Sequence, residues 1–354
     1  MFTGIVAVAC LHKISTPPYM NKLILSIVLA IFLGSFGEAN GQACGSRQLD
    51  PRIANFLKFI GYKDFSLEEL RKMPIEQIKF AGPPPIPYPT EDVKRIKVTK
   101  DSIPVLVFNP THGKNLPVVI NYHGGGFVSP LIVGLEHMFW REAKALNAVL
   151  FAVDYRVAPE HKYPAAVNDS YNAFKWIAEH AGEYDGDTGK IVLMGNSAGA
   201  NLVAVVSQKA KQERRFANKI RLQVMNGLPA DLRPENMETS ESYQQNATGY
   251  FQTKDACYFS VELYAPGETN NPEVSPIITS DFSGLPPAVI INAEFDPLRD
   301  DGIRYAEKLR KAGVTVWDKC FAGQIHCLIG VQPDYAEYRE YMSTITDAMA
   351  QVFK

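Results

Sequence analysis

The chain predicts an α/β fold: a mainly parallel central sheet flanked by helices, with a helical cap over one sheet edge. Three features predict it. From about residue 116 onward, short apolar runs alternate with amphipathic segments, as successive strand–helix–strand units require. The runs Leu116–Tyr122 and Ala148–Asp154 are almost continuously apolar, the pattern of strands buried on both faces. A third run, Lys190–Met194, leads through Gly195-Asn196-Ser197-Ala198-Gly199 into an apolar helical stretch, so strand, sharp turn and helix follow one another.

In chain order, residues from about 45 to 92 read as helical and then extended, punctuated by Pro83, Pro84, Pro85, Pro87 and Pro89. Val93–Thr99, Ile103–Asn109 and Leu116–Tyr122 read as strands. A helix over 135–147 precedes the strand Ala148–Asp154. Helix 165–181, strand 190–194 and helix 198–213 continue the alternation. Arg221–Met225 and Ala288–Asn292 are further strands, followed by helix Asp301–Ala312, strand Val314–Cys320 and a last helix over 334–353. Between about 228 and 285 the alternation stops, in a stretch rich in aromatics, asparagine and proline. That stretch and residues 45–90 together form the expected cap of a catalytic domain spanning 45–354.

With 354 residues, 46% hydrophobic and 21% charged, the chain can bury a full core. A formal net charge of -2 gives no overall field favouring nucleic acid or anionic membrane. The basic run Lys209–Arg215 reads as a solvated helix end.

The N-terminus differs. Leu23–Leu33 is an apolar run preceded by Lys22. It is short for a membrane span, which needs ~20 residues, and suits a secretory signal peptide within residues 1–43, cleaved after Ala39 or Ala43. Met20 is an alternative start. A retained anchor and a lipid-modified Cys44 are the competing readings. Export would permit disulfides, but spacing assigns none to Cys44, Cys257, Cys320 or Cys327, and free, partly buried thiols are the expectation. No cysteine–histidine spacing suggests zinc. The triplets at Asn168 and Asn246 match the glycosylation pattern.

A serine hydroxyl needs a general base, and the base needs an orienting group. Ser197 occupies the turn, with Gly195 and Gly199 allowing helix and strand to approach closely. His326 is the one histidine downstream of it, in Phe321-Ala-Gly-Gln-Ile-His-Cys327, just past a strand. The acid is expected between them. Asp296 follows the strand Ala288–Asn292 and is favoured over Glu294, Asp300 and Asp301, the last two being able to cap the next helix. His123-Gly124-Gly125-Gly126-Phe127 follows a buried strand, where an oxyanion loop belongs, with the Ala198 N–H completing it.

These segments resemble the hormone-sensitive-lipase-like branch of α/β-hydrolases, which includes carboxylesterases and arylacetamide deacetylases. The resemblance rests on His123–Phe127, Asp154–His161 with Tyr163–Ala166, Gly195–Gly199, Asp296–Asp300 and Gly323–His326, in the family's order over about 116–330. It implies the α/β-hydrolase fold, a Ser197–Asp296–His326 triad and oxyanion N–H groups from Gly125, Gly126 and Ala198. His123 and the Tyr155/Arg156 segment would be structural. Asn196, Ala200 and Cys327 depart from the usual pattern; an exposed Cys327 would make activity thiol-sensitive. The expected activity is hydrolysis of short- to medium-chain carboxylic esters through an acyl-enzyme. Alternatives are an amidase or deacetylase with the same triad, or a non-catalytic small-ligand receptor. No metal or organic cofactor is expected. The expected partner is a small-molecule ester, with no nucleic acid, and no stable membrane partner unless the N-terminal segment is retained; a homodimer is left open.

Overall fold

Alternating burial along the chain sorts into one sheet in the computed structural model, which describes residues 44–79, 82 and 84–354. The expectations on residues 1–43 lie outside the described residues. The strands are β1 (Val93–Val98), β2 (Ile103–Phe108), β3 (Leu116–Tyr122), β4 (Val149–Val153), β5 (Gly186–Asn196), β6 (Ile220–Asn226), β7 (Ala288–Phe295) and β8 (Val316–Ile325), in the order β1-β2-β4-β3-β5-β6-β7-β8. β2 pairs antiparallel with both β1 and β4, and every other pairing is parallel.

The helices are α1 (Pro51–Phe59), α2 (Leu67–Lys72), α3 (Ile75–Ile78), α4 (Glu136–Ala145), α5 (Ala165–His180), α6 (Ala198–Gln212), α7 (Pro234–Thr239), α8 (Glu241–Gln245), α9 (Lys254–Tyr264), α10 (Arg299–Lys311) and α11 (Ala336–Val352). They cover both faces because successive residues of each strand point to opposite sides. Val118, Ile120, Ile191 and Leu193 join Phe174 of α5, Val203 of α6 and Tyr305 of α10 in one core. Val119, Val192, Met194 and Val289 join Phe139 of α4 and Ile345 of α11 in the other. A third cluster sets Ile53 and Leu57 of α1 against Phe295 and Ile325, the last residues of β7 and β8.

Four strands outrun their expected lengths: β5 and β6, and also β7 and β8, whose extensions carry chemistry to the sheet edge. β7 continues to Phe295 and β8 to Ile325. Their register slips near the end: Ala293 pairs with Phe321, but Phe295 pairs with Ile325. The longer path on β8 is a bulge through Gly323 (φ 70°).

Within 228–285 lie α7, α8 and α9. The α2 N-terminus meets α9 where the Leu67 N–H donates to Asp255 Oδ2 at 2.9 Å. Tyr264 stacks on Phe127 with ring centroids 3.9 Å apart, and Tyr250 packs on Phe295 at 4.7 Å. Tyr243 and Tyr264 are themselves buried, so these aromatics pin the segment to the sheet end. Each aromatic pair adds about 0.5–1.5 kcal/mol beyond its burial.

The cysteine expectation is corrected. Cys44 and Cys320 form a disulfide with Cα atoms 5.5 Å apart. Spacing could not reveal it, because 276 residues separate the two and the fold alone brings them together. Cys257 and Cys327 are free.

Candidate active site

Strand register brings the candidate residues to one place. Tyr122 pairs with Gly195, so the loop leaving β3 starts beside the turn leaving β5. This is the edge at which the strand order reverses direction, where open α/β sheets place their sites.

Ser197 sits at φ 53°, ψ -123°, a conformation that L-residues rarely adopt, between β5 and α6. Tight packing enforces the turn. A Cβ on Gly199 would collide with the Tyr122 carbonyl oxygen, and one on Gly195 with the Gly199 carbonyl. Glycine is therefore required at both positions. The Ser197 N–H donates to the Asn226 carbonyl at 2.8 Å, anchoring the serine to the end of β6.

Asp296 and His326 meet because Phe295 and Ile325, the residues before them, are register partners. His326 Nδ1–H donates to Asp296 Oδ2 at 2.7 Å, and the Leu298 N–H holds Oδ1 at 2.9 Å. Both side chains are buried. Burial opposes the charged imidazole, but the Asp296 carboxylate, with the neighbouring Cys327 sulfur, outweighs it and raises His326 well above an ordinary histidine. Gly227, following β6, lies against this ring: a Cβ there would stand 2.8 Å from His326 Cε1. The Asn226–Gly227 corner thus touches both the serine backbone and the histidine ring. His326 Nε2 lies 3.3 Å from Cys327 Sγ, whose thiol also reaches the Asn226 carbonyl at 3.4 Å.

The glycine loop borders Ser197 directly, since a Cβ on Gly124 would lie 3.4 Å from Ser197 Cβ. The N–H groups of Gly125, Gly126 and Ala198 donate to no acceptor among the described residues, leaving them available to an oxyanion. Ser260 of α9 covers the loop: a Cβ on Gly126 would meet its Oγ at 2.6 Å.

His123 is buried behind the loop, with its ring stacked on Tyr155 at 4.2 Å and Nδ1–H donating to the Gly124 carbonyl at 2.8 Å. The Tyr155 hydroxyl holds the His123 carbonyl at 2.6 Å. Burial pushes the His123 imidazole down to about 4, against the pull of its Gly124 bond, so it is neutral at physiological pH. Arg156 clamps Asp169 through Nε at 2.8 Å and a second nitrogen at 2.7 Å, holding the segment after β4.

The other acids have different partners. Asp300 accepts from the Ser242 N–H at 2.8 Å. Asp301 accepts from Asn236 at 2.9 Å and the Asp231 N–H at 3.1 Å. Glu294 accepts from the backbone N–H groups of Arg47 at 2.5 Å and Gly323 at 2.8 Å. Asn226, Gly227, Ser260 and Arg47 did not emerge from sequence reasoning; only the strand-end position of Asn226–Gly227 offered a signal. Asn246 is fully buried, with its amide bonded to the Glu294 and Asp296 carbonyls, so the folded chain offers no acceptor there. Asn168 is exposed but lies within α5, and Ser170 of its triplet is buried.

Comparison with known proteins agrees with this fold. A family model described as the alpha/beta hydrolase fold matches residues 119–330. The chain is 32% identical over 291 residues to an arylesterase of Saccharolobus solfataricus, covering 80% of this chain and 92% of that protein. It is 39% identical over 220 residues to the carboxylesterase NlhH of Mycobacterium tuberculosis, covering 60% and 67% respectively. The solved Pyrobaculum calidifontis esterase superposes with a TM-score of 0.73 at 32% identity, covering 86% of this chain and 98% of that one. A buried, mainly parallel sheet, a strained serine turn and an aspartate–histidine pair at one edge accompany these matches: the chain belongs to the α/β-hydrolase fold family, in its hormone-sensitive-lipase-like branch.

Proposed function

We propose that the protein is a serine carboxylesterase acting on short- to medium-chain esters. The observation that carries this reading is the convergence of the strained Ser197 turn, the unpaired glycine-loop N–H groups and the buried Asp296–His326 pair. Ser197 Oγ attacks the ester carbonyl while His326 Nε2 takes its proton, and Asp296 stabilises the resulting imidazolium. The Gly125, Gly126 and Ala198 N–H groups receive the negative oxygen of the tetrahedral intermediate. Its collapse expels the alcohol, protonated by His326, and leaves an acyl-Ser197. Water, deprotonated by His326, then releases the acid and restores the serine. Residues 45–90 and 228–285 act as a cap, with Ser260 over the oxyanion loop limiting the acyl group. A series of chromogenic esters of increasing acyl length, with Ser197→Ala as control, tests the reading. Turnover that survives in Ser197→Ala overturns it.

Export is proposed with it. The apolar run Leu23–Leu33 and the Cys44–Cys320 disulfide support an oxidising destination. Fractionation of cells expressing the whole chain tests this, and a cytosolic, uncleaved product would overturn it.

A further inference from the structure

The acid and the base both sit at the ends of strands, and both strand ends are held by the same N-terminal segment. Glu294, two residues before Asp296, is fully buried. Its carboxylate bridges the Arg47 N–H at 2.5 Å and the Gly323 N–H at 2.8 Å. Gly323 lies in the β8 bulge, three residues before His326, and its carbonyl accepts the Asp50 N–H at 3.0 Å. Asp50 also accepts from Gln324 at 3.2 Å.

The Arg47 side chain reaches the other arm. Its guanidinium donates to Asn246 Oδ1 at 2.9 Å and lies over the Phe295 ring at 4.7 Å. Asn246 in turn donates to the Asp296 carbonyl at 3.0 Å. Arg47 takes up φ 60°, and a Cβ on Gly45 would collide with the Glu294 carboxylate, so this turn is shaped to the acid it covers. Ile53 and Leu57 of α1 pack on Phe295 and Ile325, the residues directly before Asp296 and His326. The Cys44–Cys320 disulfide fastens the whole segment to β8.

We propose that residues 44–50 are a disulfide-fastened clamp that sets the spacing of Asp296 and His326, with Arg47 and Glu294 as positioning residues. The inference rests on the serine-esterase reading for its kinetic consequence. A buried carboxylate that loses one of two donors must find water or change its surroundings. Release of the segment removes the Arg47 N–H from Glu294 and the Asp50 N–H from Gly323, so the bulge ahead of His326 relaxes. A dithiol would trigger it: the S–S bond breaks, Cys44 and Cys320 each gain an electron and a proton, and the dithiol closes to its own cyclic disulfide.

The test uses the full chain and one short-chain nitrophenyl ester. Dithiol treatment, or Cys44→Ser with Cys320→Ser, is expected to lower kcat about 10- to 100-fold, since displacements near 1 Å cost on that order, with KM changed less than about twofold. The double variant should then be indifferent to dithiol. Arg47→Ala is expected to lose kcat in the same way, and Arg47→Lys to recover part of it. The downfield proton resonance of His326 Nδ1–H gives a second readout independent of turnover, and it should weaken or move on reduction. Near-UV circular dichroism identifies variants that have unfolded; if those do, reduction of the native chain decides. Unchanged kcat and an unchanged His326 resonance after complete reduction would overturn the clamp. An inactive oxidised wild type would instead overturn the esterase reading, while the resonance still judges the clamp.

Discussion

The His326 imidazole donates from Nδ1 to the Asp296 carboxylate at 2.7 Å, and neither side chain is open to water. The bond fixes the ring tautomer, leaving Nε2 as the nitrogen able to accept a proton. Asp296→Asn keeps the shape but offers an amide in place of a charge, and it can hold the wrong tautomer. The expected loss is about 10³- to 10⁴-fold in kcat with a small change in KM, the behaviour of such variants in serine triads. Steady-state hydrolysis of a chromogenic ester measures it, and a loss below tenfold would remove Asp296 from the mechanism.

The same pair sets the pH profile. In the proposed mechanism His326 must be neutral to take the Ser197 proton, and its environment favours the charged form, raising it well above an ordinary histidine. The kcat/KM of the wild type is therefore expected to fall as pH drops through that raised value, with an acid limb above ~6.5. Asp296→Asn removes the charge that holds it up and should move the limb to lower pH. A limb at or below the ordinary histidine value in the wild type would contradict this.

The serine turn depends on a backbone contact that no side chain can share. Gly199→Ala would drive its Cβ into the Tyr122 carbonyl oxygen, forcing α6 away from β3 and β5. The oxyanion loop and Ser197 would separate, and activity is expected to fall by at least ~10²-fold, or the chain to become insoluble. Soluble yield and turnover of the variant check it together, and near-wild-type values for both would show that the turn can yield.

Stability carries its own pH signature through Glu142 on α4, buried and pushed up to about 7 by desolvation, with Arg141 partly opposing. A carboxyl that is harder to ionise folded than unfolded destabilises the fold as pH rises above its unfolded value of ~4.5, fully so above ~7. Glu142→Gln should therefore gain up to about 3 kcal/mol at pH 8 and little at pH 4. Denaturant melts at the two pH values measure the difference, and equal gains at both would refute the assignment.

Much of the candidate site was readable because it sits where local pattern and chemistry coincide. Gly195–Gly199 lies between a continuous apolar run and a helix, and His326 has no competing histidine downstream, so each could be found from its neighbours alone. The strand ends were less readable. Glu294, Gly323 and Gln324 are polar or small residues that the apolar pattern assigned to loops, yet pairing of β7 with β8 on either side of them and packing of α1 on Phe295 and Ile325 carry the strands through them. The Cys44–Cys320 bond, the Arg47 contacts and the Asn226–Gly227 corner join residues far apart in the chain. Spacing holds no record of them; only the folded register does.

Cys327, which departs from the pattern the resemblance implies, lies against the nitrogen proposed to take the serine proton. Its Sγ stands 3.3 Å from His326 Nε2, the atom that receives the serine proton in the proposed mechanism, and it is only half-buried. The sulfur also helps to raise His326. Cys327→Ala is therefore expected to shift the acid limb of kcat/KM to lower pH while leaving kcat within a few-fold, because Asp296 and the serine turn are untouched. Alkylation supplies the opposite perturbation. A carboxamidomethyl group on Sγ would crowd Nε2, so iodoacetamide should inactivate the wild type and spare Cys327→Ala. The second free thiol, Cys257, is buried and pushed up to about 12 by desolvation, so it reacts far more slowly. Mass mapping of the adduct alongside residual activity makes the comparison. Equal inactivation of both proteins, or an acid limb that does not move in the variant, would show that the sulfur beside Nε2 is a bystander.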